Sequence, residues 1–577
     1  MNDINFNIDE ANTLWKRWSL NAKKYPNRDA IIHWLANEEP IRWTFSSLIE
    51  KAKKFSVHIK KHGIEPGNVC AIVMRHNPNF YPLYLGISRT AALPAVLAYP
   101  NPRLHPDKFR QGIEGMSQRS GLDYILTERE LEPLIRPLIE KPGSTIKAMY
   151  FPLEWDTESE IDSQLDNEIE QIANNVKDTE PVLLQHSSGT TGLQKPVVLS
   201  HRAVLLHVKN YGKAIGLHEN DKVISWLPLY HDMGLIGAYH IPLAYGIPSV
   251  QIDPFQWVLA PVIQLEAITK EKGTLLWLPN FAYNIYAEKI DDEELEGIDL
   301  STVRNIINCS EPVRSESHFK FINKFLKYRL NPLALMTCYA MAETTFAVTQ
   351  TEEGKPIPEL TADRNLLSNG VFKFADENSV KRICVSSGKL IDGCDIKIVD
   401  ENRKELPDGT VGEIAVHSVS MFDGYRNYPE KTAEVLENGW YYTGDYGFKY
   451  EDDYYVIGRK KDIIIVAGKN IYPEDIEDAI NNVDGVIPGR VIAFGEEDEK
   501  MGTEQVAVVA ETKVESDEEK KNLRMKILKA GMAIDINIHK VYLVPPRWLI
   551  KSSAGKPSRK ANKERLINGN DPQVWSK

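Results

Sequence analysis

The strongest constraint on this chain is a set of short, unbroken apolar runs that recur through its first 310 residues. NVCAIVM at 68–74, VLLQ at 182–185, KPVVL at 195–199, KVISWLP at 222–228, GTLLWLP at 273–279 and VRNIINCS at 303–310 are all of strand length. A strand that is apolar at successive positions buries both faces, which is the condition of a parallel sheet covered by helices on either side. Helical patterns alternate with the runs. In TFSSLIEKAKKFSVHIKKHG, residues 44–63, Leu48, Ala52, Phe55 and Ile59 share one helical face, and Gly63 follows the lysine-rich last turn as a C-cap. The rhythm predicts an α/β fold with largely parallel, doubly covered sheets.

At 577 residues the chain exceeds what one small core can organise, and its texture changes after about residue 380. CDIKIVDENRKELPDGTVGEIAVHS, 394–418, sets two β-rich runs around a Pro-Asp-Gly turn and reads as an antiparallel hairpin. Beyond GRKKD, 458–462, the strands RVIAFG, EQVAVVAET and KVYLVP and the amphipathic helix near KKNLRMKILKAG suffice for a small α+β domain. The expected division is a large N-terminal domain of several α/β subdomains, 1–458, and a small mobile C-terminal domain, 459–577.

Composition narrows the function. A formal net charge of −12 argues against a broad nucleic-acid or anionic-membrane surface. Five cysteines without a CxxC pair favour a reducing compartment. The start, MNDINFNIDEAN, is polar and acidic, and the longest apolar stretch, AALPAVLAY at 91–99, is about half of the ~18 residues that mark a spanning helix. The expectation is a soluble cytoplasmic protein with no membrane span.

The segment LLQHSSGTTGLQKPVVLSH, 183–201, places a polar loop between two buried runs. Backbone N–H groups of a glycine-rich turn form a nest for phosphate oxygens, hydroxyls add neutral donors, and lysine adds charge. Two residues separate Gly189 from Gly192, and Lys195 follows after two more, so this is not the spacing of a P-loop kinase or GTPase.

Five motifs stand in order. SSGTTGLQK (187–195), YAMAE (339–343), YYTGD (441–445), GRKKDIIIVAGKNIYPEDIE (458–477) and KSSAGKPSR (551–559) resemble the phosphate loop, the Tyr-Gly-x-Thr/Ala-Glu motif, the ribose motif, the hinge motif and the C-terminal lysine motif of adenylate-forming enzymes. That superfamily holds acyl-CoA synthetases, luciferases and nonribosomal-peptide adenylation domains. The resemblance implies attack of a substrate carboxylate on the α-phosphate of ATP, giving an acyl-adenylate and pyrophosphate. Two anions must be held together and their charge offset.

Carried onto this sequence, the resemblance implies that Ser187, Ser188, Gly189, Thr190, Thr191, Gly192 and Lys195 hold the phosphates and that Glu343 binds Mg2+. Ser310, Glu311, Pro312, Cys338, Tyr339 and Ala340 would line the adenine, with Tyr339 able to stack on the base. Asp445 and Arg459, with Ile457 just before, would complete the nucleotide site at the ribose. Lys556 would carry the chemistry, its ammonium placed between carboxylate and α-phosphate. Lys461 matches the hinge about which the small domain rotates between adenylation and acyl transfer.

SWLPLYHDMGLIG (225–237) and LPNFAYN (278–284) look most like fatty acyl-AMP ligases, and His231 would lie beside the acyl phosphate as a hydrogen-bond donor. The long stretch at about 345–385, with apolar Phe346, Leu366, Val371 and Phe374, resembles the insertion by which these ligases differ from acyl-CoA ligases. The implied substrates are ATP and a fatty acid, and the implied acceptor is the phosphopantetheine thiol of an acyl carrier protein. A basic tail, Arg547 to Arg565, would suit such an acidic partner. Two other readings stay open: an acyl-CoA synthetase, and a catalytically silent scaffold. Gln194, Pro196 and Ala340 depart from the family pattern, and Pro196 removes an N–H that could have served a phosphate.

Overall fold

Nine strands build the central sheet of the computed structural model, which describes residues 6–100, 106–187, 194–466, 469–498, 503–551, 557–568 and 571–576. From one edge they run Lys389–Leu390, Ala347–Gln350, Leu335–Ala340, Asn305–Asn308, Leu275–Leu278, Val223–Ser225, Ser249–Gln251, Asp29–His33 and Ile41–Thr44. The six inner strands are mutually parallel, and antiparallel partners close both edges. A second, wholly parallel sheet joins Leu93–Val96, Val69–Val73, Tyr124–Thr127 and Ala148–Tyr150. Leu275–Leu278 and Asn305–Asn308 are buried at every position, as their unbroken sequence requires. The helix Phe45–Lys61 turns Leu48, Ala52, Phe55 and Ile59 inward, and Gly63 follows it at φ +74°.

The runs VLLQ and KPVVL depart from the parallel expectation. Strands Pro181–Ser187 and Lys195–Ser200 pair antiparallel, Leu183 opposite Leu199 and Ser187 opposite Lys195. The reason is length: the seven residues between them are too few for a parallel crossover, which needs a dozen or more. The hairpin expected at 394–418 is present as Cys394–Val399 against Gly412–Ser418, and it joins a five-stranded sheet with Trp440–Tyr450 and Asp453–Arg459.

From Ile464 onward the chain closes a core of its own around Ile476, Ile480, Val508, Ile527 and Leu543. Strands Val491–Asp498, Thr503–Glu511 and Ile538–Val544 carry it, covered by the helix Asp517–Ala533. A short hairpin, Ile464–Val466 with Lys469–Ile471, was not legible in the sequence.

The stretch expected as an insertion divides differently. Phe346 is fully buried in the main core and leads into the strand Ala347–Gln350 of the central sheet. What stands apart is an antiparallel pair, Glu359–Asp363 with Lys381–Val385, joined through the short helix Arg364–Ser368. Leu366, Val371 and Phe374 are exposed, while Ala362, Leu367, Phe372 and Cys384 pack with Phe448, Tyr455 and Tyr472. Among the described residues no helix is long and apolar enough to cross a membrane.

Candidate functional site

The ribose motif lies on the strand Trp440–Tyr450, whose partner Asp453–Arg459 sets Arg459 directly opposite Asp445. Gly444 takes φ +73°, a left-handed turn that glycine adopts without strain. The Asp445 N–H donates to Thr443 Oγ1 at 3.0 Å, so the kink fixes the carboxylate's position. One carboxylate oxygen accepts the Tyr339 hydroxyl at 2.7 Å, and the other lies 3.4 Å from Arg459 Nε. Asp445 is the main cause holding the Arg459 guanidinium above its ordinary pKa. Two motifs distant in sequence, YAMAE and YYTGD, therefore share one hydrogen bond. The carboxylate keeps lone pairs for hydroxyl donors of a bound sugar.

The segment expected to line a base is less uniform. Ser310 adopts φ +70°, a conformation rare for a residue other than glycine. Glu311 caps the helix Asn280–Lys289 by accepting the Phe281 N–H at 3.0 Å. Cys338 and Tyr339 alternate across their strand, so Cys338 faces the main core while Tyr339 packs with Val348, Ile398 and Ile414 on the other side. The Cys338 side chain is thus a core group, leaving only its backbone for a nucleotide. Ile457 is corrected in the same way. Its side chain packs with Phe448 and Tyr472, and its carbonyl accepts Arg382 Nη2 at 2.8 Å. Ala340 is half-buried against the main core.

Glu343 sits on a single 3-10 turn at the end of the strand Leu335–Ala340 and is 6% exposed. Its carbonyl accepts the Phe422 N–H at 2.8 Å, and its carboxylate accepts the Tyr425 hydroxyl at 2.6 Å. Thr345, at φ +69°, is anchored by its hydroxyl on the Ser420 carbonyl at 2.9 Å. Lys195 Nζ donates to the Tyr425 hydroxyl at 3.3 Å and lies 4.9 Å from the ring centroid. Burial lowers the Lys195 pKa, and the Glu343 charge opposes that shift. Burial first, then Glu343 and Tyr425, push the Tyr441 phenol up. Neither Tyr425 nor Tyr441 was singled out in the sequence; MFDGYRN carries no motif that announces a carboxylate partner.

Pro196 does less harm to a phosphate site than its missing N–H suggests. On its strand Val198 exchanges bonds with Asp423 and Gly424, and the Pro196 carbonyl accepts the Arg426 N–H at 3.0 Å. N–H and C=O of one residue point to one side of a strand, so the lost donor faces 423–426. Ser188, Gly189, Thr190, Thr191, Gly192 and Lys556 lie outside the described residues. Lys551 and Pro557, which bracket the lysine motif, are joined by a backbone bridge. Burial, then Arg490, bring the Lys551 pKa down to about 8, and Glu311 acts against them, which puts the base of that loop within electrostatic reach of the 310–312 segment. Lys461 is exposed along its chain, yet crowding about its ammonium and the nearby Arg459 lower its pKa to about 8, with Lys195 adding to the effect.

His231 Nδ1 lies 2.6 Å from Asp232 Oδ1, with the ring partly buried. The Met233 N–H also lies 3.3 Å from His231 Nδ1, so Asp232 and the Met233 backbone together hold the ring on its Nδ1 side and leave Nε2 as the nitrogen turned away from them. The basic tail is also largely committed within the chain. Arg559 pairs with Asp462, Glu474 and Glu477 at 2.7–2.9 Å, Lys563 donates to the Gly495 carbonyl at 2.5 Å, and Arg565 contacts the Trp548 carbonyl and Asp571. Lys560, beside Glu564 at 3.9 Å, is the more exposed cation.

The segment 359–385 also touches the C-terminal unit. Arg382 pairs with the buried Asp475 at 3.2 Å, Tyr472 packs among Leu367 and Phe372, and Arg314 pairs with Asp478 and donates to the Glu474 carbonyl at 3.4 Å. Burial raises the Asp478 pKa to about 6 despite Arg314.

A family model described as AMP-binding enzyme matches residues 18–426. A Mycobacterium tuberculosis protein named probable long-chain-fatty-acid–AMP ligase FadD30 is 29% identical over 553 residues, covering 90% of this chain and 91% of that protein. A second protein of that organism, named 4-hydroxyphenylalkanoate adenylyltransferase, is 31% identical over 67% of this chain and 65% of its own length. A solved structure of a Legionella pneumophila fatty acyl-adenylate ligase, in complex with acyl adenylate and pyrophosphate, superposes with a TM-score of 0.72 at 26% identity over 98% of both chains. A structure from a study of fatty acyl-adenylate ligases of E. coli and L. pneumophila, at 22% identity, shares the fold with a TM-score of 0.85 over 96% of this chain and 97% of that one.

Proposed function

From the premise that this chain belongs to the AMP-binding enzyme family, we propose that it activates a fatty acid with ATP to an acyl-adenylate and pyrophosphate. In this reading it then passes the acyl group to the phosphopantetheine thiol of an acyl carrier protein. The observation that carries the adenylating step is the pairing of one carboxylate, Asp445 held between Tyr339 and Arg459, with a buried carboxylate, Glu343, linked to Lys195, which lies within electrostatic reach of Arg459. The named relatives support the choice of a fatty acid.

Glu343 suits a nucleotide-borne Mg2+. It is a lone carboxylate, one oxygen held by a phenol, and no cluster of three His, Cys, Asp or Glu residues stands among the described residues to cage a metal independently. A hard cation that keeps phosphate and water ligands needs only one or two protein carboxylates. When bound, such an ion would offset phosphate charge. For the chain's own residues, Asp445 would accept the ribose hydroxyls and fix the sugar. The nest at 188–192 and Lys195 would hold the departing pyrophosphate, and the Lys556 ammonium would offset charge as the carboxylate closes on phosphorus. The acyl-carrier acceptor draws support from the Arg382–Asp475 pair and the Tyr472 packing. They tie the segment 359–385 to the C-terminal unit, whose rotation access by free coenzyme A would require.

ATP–pyrophosphate exchange across a panel of carboxylic acids tests the first step, and exchange with none would favour a silent scaffold. Incubation with ATP, the accepted acid, and either coenzyme A or a phosphopantetheinylated carrier tests the second. Thioester is expected on the carrier, and comparable rates on coenzyme A would make the protein an acyl-CoA synthetase instead.

A further inference from the structure

The segment 420–426, SMFDGYR, binds two parts of the site that share no sequence motif. Toward Glu343, its Ser420 carbonyl accepts the Thr345 hydroxyl, its Phe422 N–H donates to the Glu343 carbonyl, and its Tyr425 hydroxyl donates to the Glu343 carboxylate at 2.6 Å. Toward the phosphate-loop strand, Asp423 and Gly424 exchange backbone bonds with Val198, and Arg426 N donates to the Pro196 carbonyl. Val197 and Tyr425 form a β-bridge, so strand register places the Tyr425 ring beside Lys195. Phe422 packs against the Tyr425 ring at 5.0 Å, and Thr432 Oγ1 accepts the Tyr425 N–H at 2.9 Å. The phenol is therefore held from its backbone, from its ring face and at its oxygen.

We propose that Tyr425 is a positioning residue for the metal-bearing nucleotide. Its hydroxyl, donating to Glu343 and accepting from Lys195, orients the carboxylate and ties the placement of the loop lysine to it. The inference rests on the reading of Glu343 as the Mg2+-binding carboxylate. The buried Glu343 carboxylate and the half-buried Lys195 ammonium meet through one hydroxyl, which Tyr441 also engages. A rotamer change of either ionic group therefore alters the hydrogen bonding of the phenol that orients the other. Filling of the metal site and closure of the lysine on the phosphates are then coupled through Tyr425. A phenol that only filled space would not produce that coupling.

The test compares the full-length wild type with Tyr425→Phe, Lys195→Met and the double variant. The readouts are the Mg2+ half-saturation of ATP–pyrophosphate exchange and, without any acid, calorimetric binding of ATP at graded Mg2+. Loss of one charge-assisted hydrogen bond should raise the Mg2+ half-saturation of Tyr425→Phe about tenfold, with the KM for the acid changed less than about twofold. The double variant should be little worse than the poorer single one, because both lose the same bridge. An unchanged Mg2+ requirement in Tyr425→Phe, or effects that multiply in the double variant, would overturn the proposal. Should Tyr425→Phe not fold, Lys195→Met must by itself shift the Mg2+ requirement in the same direction, and no shift overturns it equally. Wild-type protein that neither binds ATP nor exchanges pyrophosphate would sink the adenylating function itself, which a failure confined to the variants would not.

Discussion

The two ends of the candidate site are built by different means. At the ribose end, Asp445 and Arg459 face each other across one antiparallel strand pair, and only Tyr339 comes from elsewhere. At the end proposed for the metal, Lys195 lies on a hairpin strand and Glu343 on the turn that follows a strand of the central sheet, and they meet through a third segment, 420–426, that neither motif predicts. A pair fixed by strand register needs little support, because the ladder positions both side chains at once. A pair assembled from a strand and a distant turn depends on whatever spans the gap between them. The comparison teaches that the metal end should be the more sensitive to changes outside its own motifs.

In the proposed mechanism the Lys556 ammonium offsets charge at the phosphate itself, so its removal should outweigh damage to either end. Lys556→Ala is expected to lower ATP–pyrophosphate exchange about a thousandfold, roughly 4 kcal/mol of barrier, with the circular dichroism spectrum unchanged. A loss under about tenfold would show that another group supplies the charge. Next in size is Glu343→Ala, expected to reduce kcat/KM for MgATP about a hundredfold and to flatten the Mg2+ dependence. Retained Mg2+ dependence would move the metal away from this end. Asp445→Asn should raise the KM for ATP about tenfold while leaving the Mg2+ requirement untouched, since it loosens only the ribose. A change in Mg2+ requirement would mean the two ends are coupled, against the comparison drawn above.

The smallest expected effect concerns Lys461, which stands near both ends. Its pKa is about 8 in the folded chain against an ordinary 10.5, so between these values the unfolded chain binds the extra proton. Stability contributed by this group is therefore present above pH 10.5 and lost as pH falls through about 8. Lys461→Met should flatten the rise of melting temperature over that window relative to wild type. An identical pH profile would mean that the ammonium is not crowded by its surroundings and by Arg459.

Legibility followed the same division. The buried runs announced the inner parallel strands, because a strand covered on both faces must be apolar throughout. Thr443, Gly444 and Asp445 were legible as a unit because their turn is local. The side chains of Cys338 and Ile457 turn into cores, leaving only their backbones at the site, since a motif gives an order of residues and not the face of the strand on which each lies. Phe346 was counted with an insertion although the main core takes it, and VLLQ with KPVVL were read as parallel although their short connection forces a hairpin. His231 was legible as a site candidate, whereas the partners of its Nδ1, Asp232 and the Met233 N–H, were not. The basic tail looked available for a partner, yet Arg559, Lys563 and Arg565 are held by groups up to about a hundred residues away along the chain, a distance that composition cannot register.

By itself, the order of residues determined the α/β class, the β-rich and C-terminal segments, and the motifs that resemble adenylate-forming enzymes. These depend on local periodicity, turn chemistry and short spacings. Tertiary structure alone decided that Tyr339 holds Asp445, that Tyr425 joins Lys195 to Glu343, and that Arg382 meets Asp475 across two units of the chain. Such contacts depend on where sheets and loops come to rest against one another, and the packing of a whole core is what brings hydroxyls, carboxylates and guanidinium groups from distant segments within hydrogen-bonding distance.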